Sequence, residues 1–381
     1  MSTVRKLLLA LCLLALLVAA TGCLPGLSTR PTFKIGLVAP FEGLYRHLGY
    51  EALHAAKLAI RERNQSGGVQ GYLVELVALN DDQDTEAATQ RAREMAVDPD
   101  IVGVIGHFGD ETTLAALQAY QEAGLALVVP ASTASAVTSS GYSQTYRLVA
   151  DNAVIGEVAA RYAVLEEAAG KVAVVGGPQD LVNAFVRIAE GAGTEVFVHK
   201  IQDHGVLVSQ LAAEDPDMVF LACEGIEAAE LLLALRESGV AIPVLGANGL
   251  NTPHFAAVAG DAAKGTMYLS VTPPWLDQRF SEAYVELNGA APGPYSALSY
   301  DAVGLLLDAA GKCIALQGKP SRTCVAESLA KIVDYDGVTG RISFDERGQA
   351  IGREVYLYEM VDGQYPGEVR DCPVCLTSAG G

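Results

Sequence analysis

The residues best able to do chemistry by type and spacing are a cysteine pair and a few carboxylate, glycine and histidine clusters. Cys372-Pro-Val-Cys375 has the spacing of a thiol redox centre or of half a zinc site. No second CxxC and no spaced histidine pair accompany it, so a Cys372–Cys375 disulfide is favoured and the other two uses stay open. Asp81-Asp82-Gln83-Asp84 has the carboxylate density of a calcium loop. It lacks the glycine and terminal glutamate of an EF-hand and reads as a strand-end turn in which Asp84 or Thr85 caps the next helix. Gly103-Val-Ile-Gly106-His107-Phe-Gly109 has GxxGxxG spacing, so the dinucleotide fingerprint fails and a tight strand-to-helix turn remains. The six histidines are scattered, and GxSxG, Walker and HExxH motifs are missing. No metal, cofactor or catalytic residue is expected, and the chain is not expected to be an enzyme.

The amino terminus carries a different chemistry. Arg5 and Lys6 precede an apolar run from Leu7 to Ala20, too short for a comfortable membrane span and shaped as a secretory h-region. Ala20-Thr21-Gly22-Cys23 resembles the lipobox of bacterial lipoproteins, which are cut before a cysteine whose thiol carries a diacylglycerol. An ordinary signal peptide with an incidental cysteine is the alternative. The resemblance implies a signal peptide over 1–22, lipidated Cys23, a spacer to residue 32, and an exported chain held at a membrane through its N-terminal lipid. Each buried acyl CH₂ contributes about 0.8 kcal/mol to such anchoring. The formal charge is −19, and removing Arg5 and Lys6 takes it to −21. That sign argues against nucleic acid and against an anionic lipid surface as partners.

Five further cysteines follow Cys12 and Cys23. Outside the cytoplasm their default fate is pairing. Cys313 and Cys324 flank a Gly/Pro-containing loop between two helical patterns and suit a local disulfide, while Cys223 follows a strand and suits a free core thiol.

The elements that must position any site alternate regularly. Strand-like runs at Phe33–Ala39, Leu73–Leu79, Ile101–Gly106 and Leu125–Val129 alternate with helical spacing over 49–64, 85–97 and 111–123. After residue 150 the order restarts: strands at Lys171–Val175, Glu195–Lys200, Met218–Ala222 and Pro243–Leu245, helices near 153–168, 180–192 and 226–238. A mostly helical section over 273–335 and strands at 341–344 and 353–360 close the chain. This is an α/β chain with two doubly wound lobes, whose ligand-facing loops lie at the carboxyl ends of the strands.

Several blocks match a known family in order and spacing. Lys34-Ile-Gly-Leu-Val-Ala-Pro, Ala55-Ala56-Lys57-Leu58-Ala59-Ile60, Asn64-Gln-Ser-Gly-Gly-Val, Asn80-Asp-Asp, Gly103-Val-Ile-Gly106-His107, Pro130-Ala131-Ser-Thr133, Phe220-Leu-Ala, Val244-Leu-Gly-Ala-Asn248-Gly and Gly340-Arg-Ile-Ser-Phe-Asp-Glu-Arg-Gly resemble the leucine/isoleucine/valine-binding proteins. These are the periplasmic receptors of branched-chain amino-acid ABC transporters. The resemblance implies the type I periplasmic binding protein fold, two flavodoxin-like lobes joined by three crossovers, here near 148–151, 271–274 and 340–343. The lobes would be 33–149 with 273–341, and 150–272 with 342–366, leaving 367–381 as a tail with the CxxC pair. It also implies a small-molecule ligand bound by lobe closure and ABC permease subunits as partners. A sensing receptor acting through a signalling partner is the runner-up, and a thiol redox enzyme or hydrolase is a distant third.

Carried over by position, Ala131 and Thr133 match the residues whose backbone and hydroxyl hold the ligand's main-chain groups; a plain turn after the strand is the alternative. The family's carboxylate-binding serine falls on Asp110 and its ammonium-binding glutamate on Asn248. Two ligand-covering tyrosines fall on Leu181 and Glu224, and the family's N-lobe cysteine pair on Gln83 and Gly109. A carboxylate at 110 would repel a ligand carboxylate at about 4 Å by several kcal/mol in a partly dry cleft. Asp110 is thus either a helix cap or an acceptor for a ligand amine or hydroxyl. Glu224 is a second candidate acceptor, unless it is simply solvated. The ligand is expected not to be a simple branched-chain amino acid.

Overall fold

The structure is a computed structural model that describes residues 30–375. The leader, Cys23 and residues 376–381 lie outside the described residues. Strands β1 (Thr32–Ala39), β2 (Leu73–Asn80), β3 (Ile101–Ile105), β4 (Ala126–Val129) and β5 (Thr145–Arg147) form a parallel sheet in the order β2-β1-β3-β4-β5. The chain then builds β6 (Lys171–Val175), β7 (Glu195–His199), β8 (Met218–Leu221), β9 (Val244–Gly246) and β10 (Met267–Ser270) in the order β7-β6-β8-β9-β10, also parallel. Both sheets wind in one sense, the flavodoxin-like order. A hairpin of β11 (Tyr335–Gly337) and β12 (Gly340–Ile342) follows. Antiparallel β13 (Tyr356–Glu359) and β14 (Glu368–Arg370) extend the second sheet beyond β10.

Physical causes are local. The central strands β3, β4 and β8 are buried along their whole length and almost purely Val, Ile, Leu, Ala, Met, Phe and Gly, as strands covered on both faces must be. Aspartates start the helices between them. Asp84, Asp151, Asp203 and Asp277 each accept a backbone N–H three residues on, at 2.8 to 3.1 Å. Helix Ser296–Gln317 lies against the first sheet because Gly103 has no side chain: a Cβ there would stand 2.4 Å from Leu306 Cδ2.

Some elements depart from the sequence pattern. β5 (Thr-Tyr-Arg) and β10 (Met-Tyr-Leu-Ser) mix apolar with polar residues and do not register as apolar runs, and helix His204–Glu214 lies outside the expected helices. The expected helix to residue 168 ends at Arg161 and continues as a π-turn, Tyr162–Glu166. The expected strand at 341–344 pairs with β11 instead of joining a lobe sheet. Within the stretch expected as a tail, β14 joins the second sheet, because its three residues complete the antiparallel edge that β13 leaves open.

Cys313 is bonded to Cys324, joining helix Ser296–Gln317 to helix Arg322–Leu329, and Cys372 is bonded to Cys375. The second pair is buried in the core that contains Tyr162 and Ala163. Cys223 is a free buried thiol, which burial pushes up to about 12. Among the described residues no helix is long and apolar enough to cross a membrane.

Candidate functional site

The carboxyl ends of the parallel strands and the N-termini of the helices that follow them define one region between the two sheets. After β3 the chain turns through Gly106–Gly109 into helix Asp110–Ala123. Beneath that turn His107 is fully buried, with Nδ1 2.6 Å from Asp81 Oδ2 and Nε2 3.1 Å from the Tyr120 hydroxyl. These three side chains fix the turn and are closed to solvent.

The Asp110 side chain leaves its own helix for the loop after β4. One oxygen accepts the Ser132 hydroxyl at 2.6 Å, Thr133 N–H at 2.8 Å and Ala134 N–H at 3.1 Å. The cap alternative therefore fails, since no side chain caps this helix and its N-cap is Gly109. The other oxygen accepts Asn152 Nδ2 at 3.4 Å, and the same amide nitrogen donates to Asp180 Oδ1 at 3.2 Å. Asp180, in the first turn of helix Gln179–Gly191 after β6, also accepts Ser135 N–H at 2.9 Å. A short polar seam thus runs from the β3 and β4 loops of the first sheet to the first helices of the second.

Arg147, wholly buried behind this seam, donates to the Ala134 carbonyl, to Thr138, to Gln349 and to Asp151. Burial lowers its basicity, and Asp151, Asp110 and Asp180 act the other way. One guanidinium therefore faces three carboxylates.

Glu224 caps helix Gly225–Glu237 after β8, but its side chain accepts no hydrogen bond from that helix or from any other described residue. It is open to solvent yet walled by protein. That enclosure pushes its carboxyl up to about 7, with repulsion from Asp110 and Glu227 added. Tyr295 lies opposite, 7 % exposed, and its hydroxyl accepts Asn248 Nδ2 at 3.1 Å. Asn248 in turn accepts Val271 N–H at 3.1 Å. Burial pushes the Tyr295 hydroxyl up to about 12, and the charges of Glu224, Glu51 and Asp110 act in the same direction. Glu51, near the start of helix Arg46–Gln65, accepts Tyr295 N–H at 3.4 Å, and burial pushes its carboxyl up to about 8. At the rim, His254 Nε2 is 3.1 Å from the Leu44 carbonyl, and its ring is 5.1 Å from that of His47.

The residues singled out from sequence divide clearly. Asp110, Thr133, Glu224 and Asn248 come together with Tyr295 and Glu51. Ala131 is buried in the loop that Asp110 ties down. Leu181 does not join them: it is 3 % exposed and packs in the apolar core, because one step along the helix turns residue 181 inward where residue 180 points across the seam. Gln83 and Gly109 are close, as their lost cysteine pair implied, since a Cβ on Gly109 would be 2.2 Å from Gln83 Oε1. Asn152, Asp180, Glu51, Tyr295 and Arg147 were not foreseen. Asn152 and Asp180 read locally as ordinary first-turn helix residues, and Tyr295 follows Pro292-Gly293-Pro294 far along the chain. Among the described residues no cluster of His, Cys, Asp and Glu could hold a metal ion.

A family model for periplasmic binding proteins matches residues 32–364. The leucine-, isoleucine-, valine-, threonine- and alanine-binding protein of Pseudomonas aeruginosa is 26% identical over 342 residues, covering 86% of this chain and 90% of that protein. The crystal structure of a leucine-binding protein from Thermotoga maritima superposes with a TM-score of 0.78 at 25% identity, covering 89% of this chain and 98% of that one. An ABC transporter substrate-binding protein from Desulfitobacterium hafniense, solved in complex with Leu, gives 0.77 at 27% identity and covers 89% and 100%. The paired sheets, the seam at their facing edges and these similarities agree: the chain belongs to the periplasmic binding protein family, among the extracytoplasmic, non-enzymatic solute-binding proteins related to the leucine/isoleucine/valine receptors.

Proposed function

We propose that this chain is the lipid-anchored solute receptor of an ABC importer, closing two lobes over a small polar or amino-acid-like ligand. The observation that carries the proposal is the set of hydrogen bonds bridging the sheets' facing edges: Asp110 to Asn152, Ser135 to Asp180, and Tyr295 to Asn248. Bonds of this kind form only when the edges meet, so a ligand that adds contacts in the same gap shifts an open–closed equilibrium by its preference for the closed form. Asp110, Thr133, Glu224 and Asn248 are the lining side chains, with Ala131 contributing backbone. Sheet membership supports lobes of 33–149 with 273–341 and of 150–272 with 342–366, with β14 belonging to the second. Permease subunits would read the closed shape, and Cys23 would carry the anchor.

Native mass spectrometry and small-angle scattering test the closure. The purified protein is expected to retain a small solute, and removing that solute is expected to enlarge its radius of gyration. An unchanged radius with and without bound solute would refute closure. Loss of the lipid mass and of membrane association in Cys23→Ser tests the anchor separately.

A further inference from the structure

We propose that the cleft selects a cationic solute, an amine without a free carboxylate, held between Asp110 and Glu224. This rests on the solute-receptor reading above and names the ligand class for that site. Three observations lead to it. The loop donors at Ser132, Thr133 and Ala134, the groups best placed to receive an anion, are already engaged by the protein's own Asp110 carboxylate. An incoming carboxylate would have to displace Asp110 and then sit beside its charge.

Across the gap, the Glu224 carboxylate has no hydrogen-bond partner among the described residues. Among the described residues no arginine or lysine acts on Glu224, and Glu51, raised to about 8, keeps its proton near neutral pH. Among the described residues the cation that acts on Asp110 is Arg147, which lies behind the loop and is shared with Asp151 and Asp180.

The third observation is Tyr295, more than nine-tenths buried among Glu224, Glu51 and Asp110. Its oxygen accepts from Asn248, while its own O–H hydrogen has no acceptor among the described residues. Glu51 is held there by design of the loop: a Cβ on Gly293 would fall 2.0 Å from the Glu51 carboxyl carbon, so only glycine lets the backbone cover that group. Unbalanced carboxylates around a partly dry space stabilise a cation and repel an anion. A protonated amine supplies both the missing charge and N–H donors for Glu224, and in an amine that also carries a carbonyl, such as an amino amide, that oxygen can accept from Tyr295.

The test uses the purified full-length protein and five probes: leucine amide, putrescine, spermidine, leucine and 4-methylpentanoate. Binding is read by calorimetry and thermal shift. At least one amine probe is expected to bind ten-fold or more tightly than leucine, with 4-methylpentanoate not binding. Glu224→Gln is expected to weaken that amine at least ten-fold, and Asp110→Ser to improve leucine relative to it. Leucine binding as tightly as every amine, or amine binding unchanged in Glu224→Gln, overturns the proposal. If only leucine or 4-methylpentanoate binds, the cation proposal fails while the solute-receptor reading stands. A flat response to all five, with no co-purified solute in the native mass spectrum, removes both.

Discussion

Asp110 and Glu224 occupy matching places in two sheets of the same winding order. Each opens the helix after the third strand of its sheet, β3 in one case and β8 in the other, and the two carboxylates face one another. Among the described residues one is tied by four hydrogen-bond donors, the other by none. The tied carboxylate belongs to the architecture: it holds the β4 loop and reaches Asn152. The untied one has kept its solvent contact and its repulsion from Asp110, which no fold requires. A difference between equivalent positions on a common frame thus separates the carboxylate that the fold engages from the one that it leaves available.

The largest effect should come from cutting the tied side. Asp110→Ala leaves Ser132 Oγ and two backbone N–H groups without their acceptor, a loss of about 2 to 3 kcal/mol in unfolding free energy by chemical denaturation. A loss below about 0.5 kcal/mol would mean that the loop does not depend on Asp110.

Glu51 offers an intermediate effect of opposite sign. Its carboxyl is raised from 4.5 to about 8, so the folded state holds the proton more tightly than the unfolded chain. That contribution is fully present below about pH 4.5 and is lost as the pH rises through about 8. Glu51→Gln removes the penalty, and thermal unfolding at pH 8.5 should show a gain on the order of 1 to 2 kcal/mol that disappears at pH 4.5. Equal effects at both pH values would contradict the assignment.

The smallest stability change belongs to the untied side. Glu224→Gln breaks no hydrogen bond among the described residues and relieves the cost of ionising a raised carboxyl, so unfolding free energy near pH 7 should rise slightly, by under about 1 kcal/mol once solvent screening is allowed for. Its sharper signature is protonic. Glu224 lies at about 7 beside Asp110, Glu227, Tyr45 and Tyr295. A cation that draws the proton off should release about half a proton at pH 7, measured by calorimetry in buffers of different ionisation enthalpy. Release unchanged in Glu224→Gln would assign the proton elsewhere.

Much of this frame was legible as pattern. Buried strands such as β1 and β6 advertise themselves by the apolar runs over 35–39 and 172–175, and Asp84 announces a helix start by type and place. β5 did not, because three residues ending in a buried arginine carry no period, and Arg147 is interpretable only once Asp151, Thr138 and Gln349 surround it. In the site, Asp110 and Glu224 stand out as charges where the family resemblance implies a serine and a tyrosine. Which of them was engaged depended on loops 22 residues away and on a partner sheet, information that spacing does not hold. Leu181 shows the converse: a position can align with a contact residue while helix phase delivers its neighbour, Asp180, to the seam.

The interlaced connectivity has a consequence for how the molecule comes into being. The first sheet is covered by helix Ser296–Gln317, supplied after the whole second parallel set, and the second sheet waits for β13 and β14 from residues 356–370. Neither half can close its core until nearly all of the chain is available, and the pairings that do so are far apart in sequence. Assembly should therefore be slow compared with chain elongation and should leave strand edges bare in the interim. Those edges have to be protected over that interval. Truncation before residue 356 should yield a product that aggregates through the β10 edge of the second sheet, which β13 no longer covers.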